Sequence, residues 1–325
     1  MKRFFYFLLL FLLLRNKSIA QQIPAAEENI PSLVTFGKEG DKSWGDDDFS
    51  QTWFFVIPKY QTKPIYIRVF DPDASGDNDE KKGEFNTKTQ FTVYGGKTCF
   101  TAKDVKSDEP KGDYKSGNIL GTKTFTTEND NDWYTFGPFN PTEGEWVEEY
   151  GGYIFKVIAE GISGDDGNLY KYFLSESPSD NQIVEGSNSF TFEYTFRLSD
   201  KNLNTTHLYP FVDEKVISVR ISNFDFDDDG TVNVISIANK DVPCKASGNN
   251  VWATTKHNVV EREKKTTLDV QFLKNKEKLI KNNNVTLCVK NEYGVALPIF
   301  TVPIGGTLNS NYKIQFNQKK KTGPY

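Results

Sequence analysis

Short runs of alternating apolar and polar residues recur along the chain, and turn-forming residues separate them. Residues 65–70, Ile-Tyr-Ile-Arg-Val-Phe, alternate aliphatic side chains with aromatic or charged ones, as a strand with two different faces does. Further runs of this kind occupy residues 90–94, 122–126, 153–159, 169–174 and 189–198. The first two thirds of the chain are therefore predicted to form β-strands.

Residues 189–198 carry the strongest signal of period two. Phe190, Phe192, Tyr194 and Phe196 alternate with polar residues. Because successive side chains of a strand point to opposite faces, this run predicts one strand with an aromatic core face.

A polar stretch at residues 201–213 separates this series from a second one. The second series comprises residues 216–221, 231–237, 268–273, 285–289 and 299–302. Five or more short strands in about 110 residues fit an immunoglobulin-like sandwich, although the Cys…Trp…Cys spacing is absent. The only plausible helical stretch, residues 261–265, is too short to define an architecture.

We therefore predict an all-β fold of two β-sandwich domains. The first, jelly-roll or C2-like, spans residues 21–200 and carries acidic loops, and the second, immunoglobulin-like, spans residues 214–318. Residues 201–213 are expected to be a linker, and residues 319–325 a basic tail.

The N-terminus has the pattern of a secretory signal peptide at residues 1–20. Basic residues precede eleven apolar residues at 4–14, and a small-residue cleavage site ends at Ala20. Eleven residues rise only about 16 Å as a helix, about half of a hydrocarbon core. We expect a secreted protein, periplasmic, cell-surface or extracellular, without a transmembrane span.

Charge and cysteine content limit the partners and cross-links. The formal net charge of −5 becomes about −9 once the four basic residues of the signal peptide are removed, and an acidic protein repels nucleic acid. Three cysteines are too few for a disulfide framework. Cys244 and Cys288 could pair, whereas Cys99 is expected to be a small core residue.

The clearest local motif is Asp-Phe-Asp-Asp-Asp-Gly at residues 225–230. Carboxylates at alternate positions, Asp225, Asp227 and Asp229, are followed by a glycine and by the carbonyl of Thr231, which suits the oxygen coordination of calcium. An EF-hand would continue to a glutamate at position twelve, where this chain has Ser236. The alternative is a solvated Asp-rich hairpin turn.

Three more acidic loops lie in the first predicted domain. Their candidate calcium ligands are Asp46, Asp48, Asp71, Asp73, Asp77 and Asp165. Loops of a sandwich can cluster at one end, where crowded carboxylates repel one another unless a cation neutralises them. Calcium is therefore the expected cofactor, and if the loops do not converge each is an ordinary hydrated loop.

Two sets of segments resemble known families. Residues 66–73, YIRVFDPD, and residues 161–170, GISGDDGNLY, resemble a calcium-binding β-sandwich of the C2-like or pre-peptidase C-terminal kind. Residues 31–48 and 134–145 resemble the N-terminal halves of uncharacterised secreted cell-envelope proteins of Bacteroidetes, some of them labelled OmpA-family. The resemblance implies that the protein belongs to the cell envelope, but it implies no reaction. The peptidoglycan-binding activity of OmpA-like proteins is not carried over, since their peptidoglycan-binding module is not recognisable in the chain.

The histidine and serine patterns do not indicate an enzyme. The chain has two histidines, His207 and His257, and neither lies in a zinc-binding spacing. A G-x-S-x-G elbow is also absent from the sequence.

A glycoside hydrolase needs a pair of carboxylates, and Glu143 with Glu145, or Glu148 with Glu149, would formally provide one. The competing interpretation is a solvated loop edge, because adjacent residues of a strand point to opposite faces.

Trp146 and its neighbours Tyr150 and Tyr153 could form a platform for sugar rings, although most tryptophans of sandwiches fill the core. The preferred hypothesis is a secreted, non-catalytic, calcium-stabilised binding or structural module of the cell envelope, with an unknown protein or glycan as partner. A carbohydrate-binding module is the alternative, and a glycoside hydrolase the second alternative.

Overall fold

The computed structural model describes residues 22–107, 110–128, 131–200, 205–275 and 280–305. These residues form two antiparallel sheets in a sandwich-like arrangement, so the predicted all-β fold is confirmed. The predicted signal peptide and basic tail lie outside the described residues. Within the described part of the chain, no helix has the length and apolar character needed to cross a membrane.

The first sheet has nine strands within the described residues. In spatial order they are β17 (Trp252–Asn258), β14 (Ser218–Phe224), β20 (Asn284–Asn291), β12 (Glu193–Arg197), β2 (Ser32–Phe36), β10 (Gly167–Ser175), β4 (Ile65–Phe70) and β7 (Trp133–Phe139), with β1 (Gln22–Ile23) paired to β10.

The second sheet has twelve strands in the same ranges. In spatial order they are β16 (Val242–Cys244), β15 (Gly230–Ile235), β19 (Asp269–Lys274), β13 (Thr205–Val212), β21 (Ile299–Phe300), β11 (Asn188–Thr191), β3 (Ser50–Pro58), β9 (Gly152–Ser163), β5 (Lys88–Gly95) and β6 (Asn118–Phe125), with β18 (Thr266–Thr267) paired to β13 and β8 (Glu145–Val147) paired to β9.

Short 3₁₀ helices lie in the connections. They are Ala26–Glu28, Lys42–Trp44, Lys103–Lys106, Gly112–Lys115, Pro141–Glu143 and Glu261–Glu263. In the stretch predicted to be helical, residues 261–265, only the 3₁₀ helix Glu261–Glu263 forms.

The aromatic run at residues 189–198 is divided between the two sheets, so the prediction of one strand with one core face is wrong. β11 pairs with β3 in the second sheet, whereas β12 pairs with β2 and β20 in the first. Phe190 and Phe192 therefore pack on the outer face of the second sheet, and Tyr194 and Phe196 pack in the core between the sheets. The Thr191 hydroxyl donates to the Glu193 carbonyl at the crossing point.

The predicted linker is mostly strand, because β13 occupies eight of its residues. Pro210 suggested a break, but proline lacks only the N–H donor. Its carbonyl accepts a hydrogen bond from the Leu268 N–H at 2.9 Å, and Leu208 and Val212 are fully buried on either side. The polar stretch is therefore compatible with a strand that buries alternate side chains.

Strands from both sides of the predicted domain boundary share each sheet. β12 pairs with β20 in the first sheet, and β13 and β11 both pair with β21 in the second. Phe272 of β19 contacts Phe196 of β12 edge to face, with ring centroids 5.8 Å apart, and also contacts Phe226 at 5.2 Å. The hydrophobic core between the sheets is thus continuous from Ile23 to Ile299.

Cys244 and Cys288 lie on strands of different sheets, and no disulfide joins them. Cys99 is fully buried in the cluster on the outer face of the second sheet, and burial raises the pKa of its thiol to about 12. Cys99 is therefore a core residue, as predicted.

Replacement of Phe272 by alanine should lower the free energy of unfolding by about 3–5 kcal/mol, because it leaves a cavity between the two sheets. Urea unfolding followed by tryptophan fluorescence measures this change. The control is Tyr293→Ala, whose side chain is 82% exposed, and its effect should stay within about 0.5 kcal/mol. Equal effects of the two variants would contradict a shared core.

Candidate functional site

The loop at residues 71–79, called here the Asp71 loop, follows directly after β4. Asp71 adopts a left-handed backbone conformation with φ of 56°, so the chain turns sharply as it leaves the sheet. The loop ends where Glu80 pairs with Gly167 at the start of β10. It is therefore held between the ends of two neighbouring strands of the first sheet.

Ser75 bridges two carboxylates of this loop. Its hydroxyl donates to Asp73 Oδ2 at 2.6 Å, and its N–H donates to Asp79 Oδ2 at 2.7 Å. The amide of Asn78 donates to Asp71 Oδ2 at 2.8 Å. Neutral donors of the loop itself thus bond to all three carboxylates.

β10 closes the other side of the Asp71 loop. The Leu169 N–H donates to Asp79 Oδ1 at 2.6 Å, and the Asn168 amide nitrogen donates to the Pro72 carbonyl at 2.7 Å. Asn168 is fully buried, and its Oδ1 atom has no hydrogen-bond partner. A buried carbonyl oxygen without a positive partner is uncommon and calls for an explanation.

Burial and the charges of neighbouring acids raise the pKa values of Asp71 and Asp79. Burial raises the pKa of Asp79 to about 9, and the charges of Asp71 and Asp73 add to the rise. Burial also raises the pKa of Asp71, and the charge of Asp73 contributes, although Lys171 opposes it. The structure therefore crowds acids that the surrounding protein only partly compensates.

Of the residues predicted for this loop, the structure brings Asp71 and Asp73 together and leaves Asp77 exposed. Asp79 takes the place that Asp77 was expected to fill. Its spacing could have revealed it, since Asp71, Asp73, Ser75 and Asp79 occupy positions one, three, five and nine of an EF-hand-like loop, and a glycine occupies position six.

Asn168 could not have been found in this way, because a distant strand provides it. Across the described ranges, no three histidine, cysteine or acidic side chains are already arranged as a metal site. Any ion at the Asp71 loop would therefore need neutral oxygen ligands as well.

The loop containing Asp46 and Asp48 is held by its own backbone. Asp46 is buried and accepts hydrogen bonds from the N–H groups of Phe36, Asp48 and Phe49. Burial raises its pKa to about 6, and it raises the pKa of Asp48 well above the usual range with help from the Asp46 charge. Asp46 therefore connects its own loop to β2, through the hydrogen bond from the Phe36 N–H.

Asp225 and Asp229 of the 225–230 motif contact different partners. Asp229 is fully buried, lies 3.2 Å from Lys274 Nζ and accepts a hydrogen bond from Asn283 at 3.3 Å. Asp225 accepts from the Asn250 N–H at 2.6 Å, and burial raises its pKa to about 7 with contributions from Asp227 and Asp41. Lysine therefore neutralises one of the three predicted ligands.

Thr231, predicted to provide a carbonyl to the same site, lies in β15 opposite Leu273, and its side chain is exposed. Asp165 lies beside Asn86, whose side chain accepts from the Asp165 N–H at 3.1 Å. The neighbouring Asp166 has the larger structural role, because it accepts hydrogen bonds from backbone N–H groups in the segment 82–87.

Two of the three residues predicted for a ligand platform lie side by side. Trp146 of β8 is 38% exposed and opposes Tyr153 of β9, with ring centroids 5.2 Å apart. Lys59 Nζ lies 5.4 Å from the Trp146 ring centroid. Tyr150 instead stacks on Phe190 at 5.0 Å and belongs to the cluster on the outer face of the second sheet.

Glu143 and Glu145, one of the two pairs considered for glycoside hydrolysis, mainly accept hydrogen bonds from backbone N–H groups. Glu145 accepts hydrogen bonds from the Phe100 N–H and from Thr101; burial alone would raise its pKa, but these bonds lower it. Glu143 caps a 3₁₀ helix by accepting from the Asn140 N–H at 2.6 Å. Neither contact favours the hydrolase.

A buried serine, glutamate and histidine lie close together elsewhere, but their order is not that of a catalytic triad. Glu263 is fully buried and lies between the other two, accepting from the Ser236 hydroxyl and lying 3.2 Å from His257 Nε2. It also accepts from the N–H of Val260 and the amide of Asn239. The carboxylate therefore organises a turn rather than activating a nucleophile.

Comparison of the chain with models of known protein families found no match, and none of the curated proteins matched it either.

Replacement of Glu263 by glutamine should lower the free energy of unfolding at pH 7 by about 1–3 kcal/mol, because buried donors lose a charged acceptor. Burial opposes ionisation of Glu263, but hydrogen bonds from Ser236 and Val260 lower its pKa below the ordinary value of a glutamate. A carboxyl group whose pKa is lower in the folded than in the unfolded state stabilises the fold at pH values above the unfolded pKa. This stabilisation is lost as the pH falls through the folded pKa.

The difference between wild type and Glu263→Gln should therefore shrink as the pH falls below about 4.3, the pKa of glutamate in the unfolded chain. Urea unfolding at pH values from 7 to 3 measures it. A difference that stays constant over this range would show that ionisation of Glu263 is not what stabilises the turn.

Proposed function

We propose that this protein is an exported, non-catalytic, calcium-stabilised binding module of the cell envelope. The observation that carries the proposal is the crowding of Asp71, Asp73 and Asp79 in one loop at the end of the first sheet. The proposal of export follows from the signal-peptide pattern at residues 1–20, and that of an envelope location from the resemblance to Bacteroidetes proteins.

Calcium suits this environment better than the alternatives. Mutually close, buried carboxylates raise the free energy of the folded chain unless a proton or a cation compensates their charge. Calcium accepts six to eight oxygen ligands in flexible geometry, including carboxylates, amide carbonyls and water. An ion that binds only the folded protein then adds its binding free energy to stability.

Calcium should raise the melting temperature of the chelator-treated protein. At a free calcium concentration 100-fold above the dissociation constant, the gain is about 2.7 kcal/mol, or about 5 °C for a chain of this size. Differential scanning calorimetry with and without calcium measures it, and elemental analysis of the purified protein tests for retained metal.

Magnesium at the same concentration is the control, because its demand for octahedral geometry and its retained waters make it a poor substitute in such a loop. A melting temperature that is unaffected by both calcium and a strong chelator, in protein that retains no metal, would contradict the proposal.

Carbohydrate binding is the second candidate function, and the exposed pair Trp146 and Tyr153 favours it. A tryptophan ring offers an apolar face to the C–H groups of a sugar. Glu148 accepts a hydrogen bond from Trp146 Nε1 at 3.2 Å, and with Lys59 it supplies polar groups for sugar hydroxyls beside the ring.

If Trp146 anchors a glycan, Trp146→Ala should weaken binding by about 2 kcal/mol, roughly thirtyfold. A glycan array identifies the ligand, and affinity electrophoresis measures the change. Trp252→Ala is a matched control, because Trp252 is 40% exposed but its Nε1 donates to Asp47. An array without a hit, or equal losses in both variants, would contradict this function.

A further inference from the structure

Asn168 Oδ1 is a buried oxygen without a hydrogen-bond partner, on a side chain that contacts the Asp71 loop. The carboxamide of Asn168 contacts the Pro72 carbonyl, between Asp71 and Asp73 in sequence, and the next residue, Leu169, donates to Asp79. The unpartnered oxygen therefore lies where the Asp71 loop meets β10. A water molecule would satisfy this oxygen but would leave the repulsion between the carboxylates in place.

In the other acidic loops, backbone N–H groups or a lysine compensate the negative charge of a buried carboxylate. Three backbone N–H groups converge on Asp46, and three converge on Asp166. Lys274 lies against Asp229. Beside the Asp71 loop, the charge of Lys171 only partly offsets the raised pKa of Asp71, and Arg197 is bonded to Glu80 at 2.8 Å and to Asn284.

We propose that the calcium site is formed by the carboxylates of Asp71, Asp73 and Asp79 together with the carbonyl oxygen Oδ1 of Asn168. The assignment rests on the proposed function, since it specifies which of the acidic loops binds the ion. Three carboxylates with one neutral carbonyl give a hard-oxygen set that lacks nitrogen and sulfur donors, which favours calcium over zinc. Water completes the coordination.

The site joins two strands that are far apart in sequence. Asp71 and Asp73 follow β4, whereas Asn168 belongs to β10, which pairs with β4 from Lys171 onwards. An ion held between them would fix the end of this strand pair. Glu80 extends the connection, because it follows Asp79 directly and contacts Arg197 of β12 and Asn284 of β20.

Isothermal titration of the chelator-treated mature protein with calcium alone tests the assignment. Asp79→Asn and Asn168→Ala should each lower calcium affinity at least about tenfold, because each removes an oxygen ligand or its charge. Asp71→Asn provides a third variant that keeps the size of the side chain, in case Asn168→Ala does not fold. Circular dichroism verifies folding of each protein.

Two matched controls separate ligation from general destabilisation. Asp77→Asn changes an exposed carboxylate of the same loop. Asn223→Ala removes an equally buried asparagine whose amide donates to the Lys245 carbonyl and whose Oδ1 accepts from the Ser247 N–H. Both controls should keep calcium affinity within about twofold of wild type.

The outcomes distinguish the two levels of the proposal. If wild type binds no calcium, both the proposed function and the assignment fail. If calcium binds but affinity is lost in Asp46→Asn or Asp225→Asn, and not in the Asp79 and Asn168 variants, the assignment is overturned while the proposed function stands. Equal losses in Asn168→Ala and Asn223→Ala would also overturn it.

Discussion

The compensation of buried negative charge is the constraint on which the ends of this sandwich depend. Carboxylates that leave water must find hydrogen-bond donors, a cation or a proton. The molecule uses backbone N–H groups for Asp46 and Asp166, and basic side chains for Asp229 and Glu80. In the Asp71 loop these means are incomplete, because the serine, amide and backbone donors leave three acids crowded and one buried carbonyl oxygen unpartnered.

The architecture explains how loops from distant parts of the chain meet. The chain changes sheets at Phe192, so that β12 joins the first sheet beside β20 while β11 stays in the second. Loops from the two halves of the chain consequently touch. Trp252 donates to Asp47, and the charge of Asp41 contributes to the raised pKa of Asp225. The acidic loops are therefore parts of one fold, and calcium binding in one of them would stabilise a core shared by both halves of the chain.

Period-two alternation predicted strands such as β4, β9 and β20, because burial of one strand face demands it whatever the neighbouring strand is, but β2, β3 and β17 were not predicted. The same alternation could not reveal the crossing at Phe192, since aromatic residues remain buried on both sides of it. Composition also failed to predict the strand at residues 205–212, because Pro210 suggested a break there. The carbonyl of Pro210 nevertheless accepts a hydrogen bond from the Leu268 N–H. Asp71 and Asp73 were predicted as ligands from the sequence and lie in the Asp71 loop, whereas the predicted Asp77 is exposed and the charges of Asp71 and Asp73 act on Asp79, which was not predicted.

The sequence by itself determined the all-β class, many of the strands and the acidic loops from which the proposed ion site is drawn, because these depend on local alternation and on residue chemistry. Tertiary structure decided which acids meet, which are neutralised by lysine or backbone, and that Asn168 of β10 faces the Asp71 loop. Such contacts depend on strand pairing between residues nearly a hundred positions apart. The spacing of residues in the sequence does not show which strands pair. Hydrogen bonds between strands use backbone N–H and C=O groups, and every residue except proline has both.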